Sequence, residues 1–162
     1  MPSLHGWSHI TWPVSDLARS EEWYLRVIGG EVITRQGMSE HERAVGRTKQ
    51  IFIRTPGGAV INIAEGEPMH RPDDMHFYHY AFQGGGLEAL DEWMAHLRAQ
   101  GVRPLGPFVH GNAGSVSVYF DDPDNYRLEI SFNVGTFDDV RRLAPQRDWK
   151  MGNPVHTYPW KD

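Results

Sequence analysis

Nine histidines, twenty-one Asp and Glu residues and no cysteine bound the chemistry open to this 162-residue chain. Without thiols there is no disulfide, thiolate metal site or sulfur nucleophile, and imidazole and carboxylate remain as metal ligands. Three of these groups stand out by position. His9 and His79 lie 70 residues apart in segments that echo one another. His9-Ile10-Thr11-Trp12 followed by Leu17 to Trp23 matches His79-Tyr80-Ala81-Phe82 followed by Leu87 to Trp93, with Glu22-Trp23 repeated as Glu92-Trp93. The register then closes by three residues, so that Pro56 to Ile63 matches Pro123 to Ile130 at an offset of 67, and Asn62 stands where Glu129 stands in the second copy. Two imidazoles and one carboxylate, all from strands, suit the facial arrangement that leaves coordination positions open on a non-haem metal ion. His9, His79 and Glu129 are therefore the expected ligands, with Asn62 lining the pocket or bonding a bound water.

The elements that must position these groups follow from the same echo. Two copies are too few for a solenoid and imply paired modules. Each module reads as strand, helix, then three strands, giving an α+β chain of two βαβββ modules forming a curled mixed sheet around a metal site. The first module is expected over residues 5–65, the second over 75–133, and a tail over 134–162, all within one domain. In the first, Trp7 to Val14 reads as a strand, and Ser15-Asp16 caps a helix that Gly29-Gly30 stops. A strand from Glu31 to Gln36 follows, then a hairpin of 50–55 and 59–65 around Pro56-Gly57-Gly58. The second module repeats the order, with strands expected over 75–83, 102–109, 115–120 and 126–132 and a helix over 87–100. Residues 37–49 and 65–74 read as loops. Alternation along the last strand turns Tyr126, Leu128, Ile130 and Phe132 one way and Arg127, Glu129 and Ser131 the other. Ser115, Ser117 and Tyr119 then share the face of Glu129, and His9 and His79 fall mid-strand. Closure of the modules within one chain and exchange between chains satisfy the repeat equally.

A formal net charge of −5 with no Lys/Arg cluster argues against nucleic acid or a membrane surface as partner. No stretch has the composition of a leader or a membrane span, so a cytoplasmic protein is expected. The tail carries Trp149, His156, Tyr158 and Trp160. That is too aromatic for an idle disordered end, and it is expected to cover the pocket or a partner subunit, with His156 or Tyr158 reaching substrate.

The paired layout, with His on the first strand of each module and Glu on the last, resembles the vicinal oxygen chelate superfamily over roughly residues 5 to 133. Within it, the run from His110 through Tyr119, Asp122-Pro123 and Asn125 to Glu129 resembles the extradiol ring-cleaving dioxygenase signature. Phe108, where a small or β-branched residue is usual, and Asn125, where Gly or Pro is usual, depart from it. The single pair of modules is similar to the short branch that includes L-DOPA 2,3-dioxygenases. The resemblance implies an Fe(II) site, with Mn(II) as the other candidate, a catechol and O2 as substrates, and a homo-oligomer. It implies that His110 is the acid/base and that Tyr119 hydrogen-bonds the substrate oxygen. An amino-acid side chain on the catechol would call for a cation. Arg35, Arg43, Arg47 and Arg54 crowd the first module for that purpose, and His70 is a further candidate contact. Three other activities share the scaffold: a glyoxalase-type isomerase, a fosfomycin-type thiol transferase that also uses two His and one Glu, and a metal-free drug-sequestering protein of the bleomycin-resistance type. Retention of all three ligand positions argues against the last.

Overall fold

The structure is a computed structural model and describes residues 7–69, 78–110 and 114–151. The chain divides into two units, Met1–His70 and Arg71–Asp162. The first runs β1 (Ile10–Val14), α1 (Leu17–Val27), β2 (Glu31–Gln36), α2 (Glu40–Ala44), β3 (Gln50–Arg54) and β4 (Val60–Glu65), with sheet order β1-β4-β3-β2. β1 is parallel to β4 and the other pairings are antiparallel. α1 forms because Leu17, Ser20, Trp23, Tyr24 and Val27 recur at helical spacing and are buried together, while the Asp16 carboxylate accepts the Arg19 backbone N–H at 3.0 Å. It stops at Gly29 and Gly30, which have φ of 82° and 110°; a Cβ on Gly30 would lie 2.1 Å from the Arg54 carbonyl oxygen. The helix packs on the sheet face carrying Trp12, Val14, Ile51, Ile53, Ile61 and Ile63, each at most 2% exposed.

The second unit repeats this plan and extends it. β5 (Tyr80–Gly85), α3 (Leu87–Ala99), β6 (Leu105–His110), β7 (Ser115–Asp121) and β8 (Arg127–Asn133) are followed by α4 (Phe137–Leu143), a 3-10 turn (Ala144–Gln146) and β9 (Lys150–Met151). The sheet order is β5-β8-β7-β6-β9, with β5 parallel to β8 and β9 parallel to β6. Leu90, Met94 and Leu97 of α3 are buried, as are Val116, Val118, Phe120, Leu128, Ile130 and Phe132 on the strands. The register reproduces the sequence echo. Thr11, Asn62 and Phe52 sit side by side across the first sheet, and Ala81, Glu129 and Tyr119 do so across the second.

The turn joining β7 to β8 sets that register. Asp122 is 4% exposed, and its Oδ1 accepts the backbone N–H groups of Asp124 and Tyr126 at 2.9 and 2.8 Å. Its own N–H donates to the Tyr126 carbonyl, and its carbonyl accepts from Asn125. Asn125 takes a left-handed φ of 65°, a conformation Asn tolerates better than most residues. Its departure from the usual Gly or Pro therefore costs the turn little.

Three features differ from the sequence expectation. β1 and β5 begin at Ile10 and Tyr80, so His9 and His79 lie immediately ahead of their strands rather than within them. The loop of 37–49 contains α2, whose Ser39 and Glu42 form a reciprocal capping box. The Ser-x-x-Glu spacing was the available signal. The tail, as far as it is described, supplies α4 and an added edge strand. No described helix is long and apolar enough to cross a membrane.

Two stability outcomes follow. A Cβ on Gly84 would lie 2.4 Å from Ile130 Cγ2 and 2.5 Å from the Phe132 ring, whereas one on Gly57 meets nothing within 4 Å. Gly84→Ala is expected to lower unfolding free energy by about 1–3 kcal/mol, against less than about 0.5 kcal/mol for Gly57→Ala; equal urea midpoints for the two variants would refute the packing. Asp122→Ala strands two backbone donors in a buried turn and is expected to cost about 2 kcal/mol or more in the same titration.

Candidate metal-binding site

With Tyr119 opposite Glu129 and Ser117 opposite Ser131, the polar residues of β7 and β8 share one face of the second sheet. Parallel β5 places Ala81 beside Glu129, so His79, two residues earlier, reaches the same face. His79 Nε2 lies 2.7 Å from Glu129 Oε2, and the Ser117 hydroxyl donates to Glu129 Oε1 at 2.5 Å. The Tyr119 hydroxyl is 3.0 Å from His110 Nε2 and also reaches Glu129. The rings of His79 and Phe108 flank Tyr119, with centroids 5.7 and 6.1 Å away.

Glu129 is 7% exposed. Burial opposes its charge, but hydrogen bonds from His79 and Ser117 and the charge of His79 outweigh that, holding the carboxyl below its usual range and anionic at neutral pH. Tyr119 moves the other way. Burial first, then the adjacent Glu129 charge, raise its hydroxyl well above the ordinary phenol value, so it remains a proton donor. A nitrogen and an anionic oxygen donor 2.7 Å apart on one face suit a divalent cation bound at about 2.0–2.2 Å from each.

The first unit carries an uncharged counterpart. Asn62, 3% exposed, donates through Nδ2 to Thr11 Oγ1 at 3.0 Å and Gln50 Oε1 at 2.9 Å, and Gln50 donates onward to Gln36 Oε1. Asn62 Oδ1 is buried with no partner among the described residues. His9 is exposed, with Nδ1 2.7 Å from Ser8 Oγ and its ring edge-on to Phe52 at 5.4 Å. Among the described residues no group of three or more His, Asp or Glu side chains gathers.

The arginines expected to bind a substrate carboxylate are engaged within the first unit. Arg35 forms an ion pair with Glu21, Arg54 with Glu31 at 3.0 Å, and Arg47 with Glu42 at 3.8 Å. Arg43 donates to the carbonyls of Gly37 and Met38. Their partners were present in the sequence, but nothing in local spacing named them. His70, His156 and Tyr158 lie outside the described residues. Sequence reasoning did not single out Ser117 as a site residue, although strand alternation had already put it beside Glu129.

The metallothiol transferase FosB of Staphylococcus epidermidis is 26% identical to the chain over 148 residues, covering 91% of the chain and 94% of that protein. The fosfomycin resistance protein FosX of Listeria monocytogenes is 28% identical over 138 residues, covering 84% and 94%. A crystal structure of that FosX matches with a TM-score of 0.65 at 26% identity, over 86% of this chain and 98% of the other. Another, described as complexed with Mn(II) and 1S,2S-dihydroxypropylphosphonic acid, matches with a TM-score of 0.65 at 28% identity over 86% and 99%. These relatives overturn the extradiol dioxygenase assignment, and with it catechol, L-DOPA and O2 as the substrates; the metal named with FosX is Mn(II). The physical reason for the error lies in the hairpin. The Tyr119-to-Glu129 spacing is the distance around the β7–β8 turn between facing residues, so it belongs to the scaffold and not to one reaction. The profile of the Glyoxalase/Bleomycin resistance protein/Dioxygenase superfamily matches residues 6–130. On this match and the shared paired-module fold, the chain belongs to the Glyoxalase/Bleomycin resistance protein/Dioxygenase superfamily.

Proposed function

We propose that the chain is a metal-dependent enzyme of the fosfomycin-resistance type, which adds a thiol or water to the epoxide of a small phosphonate. The observation that carries this reading is the buried, anionic Glu129 held 2.7 Å from His79, taken with relatives that are named as metallothiol transferase and fosfomycin resistance proteins. A vicinal diol on propylphosphonic acid, the molecule named with FosX and Mn(II), is what water addition to fosfomycin's epoxide yields. Within the second unit, His79 and Glu129 would hold the ion. A divalent cation bound there supplies Lewis-acid polarisation of the epoxide oxygen.

The chain's own residues do the rest. Ser117 fixes one Glu129 oxygen through its hydroxyl, leaving the other oriented beside His79. Tyr119, kept protonated by burial and by Glu129, donates to the ring oxygen as it becomes an alkoxide. His110, hydrogen-bonded to that hydroxyl, accepts the proton released by the nucleophile. The new carbon–sulfur or carbon–oxygen bond forms as one ring carbon–oxygen bond breaks. The proton passes from nucleophile to former ring oxygen, with no change of oxidation state.

Phosphorus NMR of fosfomycin incubated with purified protein, Mn(II), and glutathione or no thiol tests the reading. Conversion to an adduct or diol that stops on adding EDTA is expected; an unchanged spectrum under both conditions would sink it. Glu129→Ala or His79→Ala is expected to weaken Mn(II) binding at least ~100-fold, and Ser117→Ala about 10-fold, because it removes only an orienting hydrogen bond. Direct metal titration reads both, and undiminished affinity in Glu129→Ala would remove it from the ligand set. Tyr119→Phe is expected to keep the metal and lower kcat by ~100-fold.

A further inference from the structure

His110 stands at the end of a strand that β7 holds unevenly. Leu105 of β6 is opposite Tyr119, and Phe108, Val109 and His110 are opposite Ser117, Val116 and Ser115, but the register shifts between Leu105 and Phe108. Gly106 and Pro107 there stand against the single residue Val118, a bulge that interrupts the ladder just before the stretch carrying His110. The other edge of that stretch is covered by the tail. β9 runs parallel to β6, with Lys150 opposite Phe108 and Met151 opposite Val109.

The tail reaches this edge along an anchored path. Val140 and Ala144 are at most 1% exposed, and Trp149, 7% exposed, donates its backbone N–H to the Ala144 carbonyl at 3.0 Å. Arg147 Nη1 donates to Asp91 Oδ2 of α3 at 2.9 Å, and its guanidinium lies 5.7 Å from the centre of the Trp149 ring. Asp148 turns the chain into β9 with a left-handed φ of 52°. The buried Trp149 and the Arg147–Asp91 ion pair thus fix where β9 begins.

We propose that Trp149 and Arg147 are positioning residues: by seating β9 on β6 they hold residues 108–110 in place and keep His110 within hydrogen-bond reach of Tyr119. The Phe108 ring, under β9, packs against Leu105 and Tyr119, and the Tyr119 hydroxyl is 3.0 Å from His110 Nε2. A proton-transfer pair loses rate steeply when one member drifts, so the strand that carries it needs support on both edges. The His79–Glu129 pair stands on the other side of the sheet, where β5 pairs with β8, and its metal affinity is independent of the tail. As a statement about catalysis, the assignment rests on the reading above.

The test compares Trp149→Ala, Trp149→Phe and Arg147→Met with wild type in the full chain. Hydrogen exchange of the Mn(II)-loaded protein is expected to show β6 amide protection lowered ~10-fold or more in Trp149→Ala, with β5 and β8 unchanged. Trp149→Phe retains most of that protection. Arg147→Met, which leaves the buried ring in place, lowers it less and carries the same readouts if Trp149→Ala does not fold. Imidazole NMR of the Zn(II)-loaded protein reads the His110 ring directly, and loss of the strap is expected to move its Nε2 signal toward that of a solvent-exposed histidine. Mn(II) affinity stays within about twofold of wild type, while kcat with fosfomycin falls ~10-fold at little-changed KM. His110→Gln and the double variant His110→Gln/Trp149→Ala are expected to share one kcat, because nothing remains to be positioned. Undiminished β6 protection or an unmoved His110 signal in the folded strap variants overturns the proposal, as do kcat losses that multiply in the double variant. Failure of the catalytic reading is distinguishable: no fosfomycin turnover by wild type removes the reaction, while exchange and the His110 signal still decide the role of the strap.

Discussion

The Asp122 carboxylate, buried in the β7–β8 turn with two backbone N–H groups donating to it, is the constraint on which the second unit depends. Side chains alternate faces along a strand, so a slip of one residue in this hairpin would turn every residue of β8 over. Glu129 would then face the apolar layer of Leu90, Met94 and Leu97, where an unpaired carboxylate carries a large desolvation cost. Leu128 and Ile130 would lose that same layer. The turn and the apolar pattern therefore enforce one register, and that register puts Tyr119 opposite Glu129.

Once there, the carboxylate is tolerable because it is bonded. Ser117 and His79 occupy its two oxygens, and Tyr119 reaches it as well. The hydrogen bonds that offset burial also fix its direction, which is what a metal ligand needs. The first unit has the same backbone arrangement with an amide in place of the charge. Asn62 answers to Thr11 and Gln50, and its Oδ1 has no partner among the described residues. A neutral amide needs no counter-charge, and Phe52, opposite Asn62, stands where Tyr119 stands. The duplication is preserved in backbone pairing and broken in charge, so the two units present chemically different faces.

Residue spacing around the β7–β8 hairpin does not separate one reaction of this scaffold from another. The His110, Tyr119 and Glu129 spacing matches the extradiol pattern because hairpin geometry imposes it, and relatives with fosfomycin-directed names share the fold. What distinguishes reactions on such a scaffold is which groups flank the ligands and what charge they carry. Here His110 and Phe108, which stand beside Tyr119, come from β6.

By itself the sequence determined the repeat, the strand–helix–three-strand order of each module, the faces of β7 and β8, and the placing of Glu129 with Ser117 and Tyr119 on one side. Each of these is written in local periodicity, which reports the direction of a side chain relative to its neighbours in the chain. Only tertiary structure decided the partners. Arg35 and Arg54 face Glu21 and Glu31 across sequence gaps that no period encodes, and Lys150 meets Phe108 only because β9 adds to the edge of β6. The histidines divide along the same line. The echo marked His9 and His79 as equivalent, but where each strand begins depends on the reach of its parallel partner, β4 or β8. Long-range pairing sets such ends, because a strand exists only as far as another strand hydrogen-bonds to it.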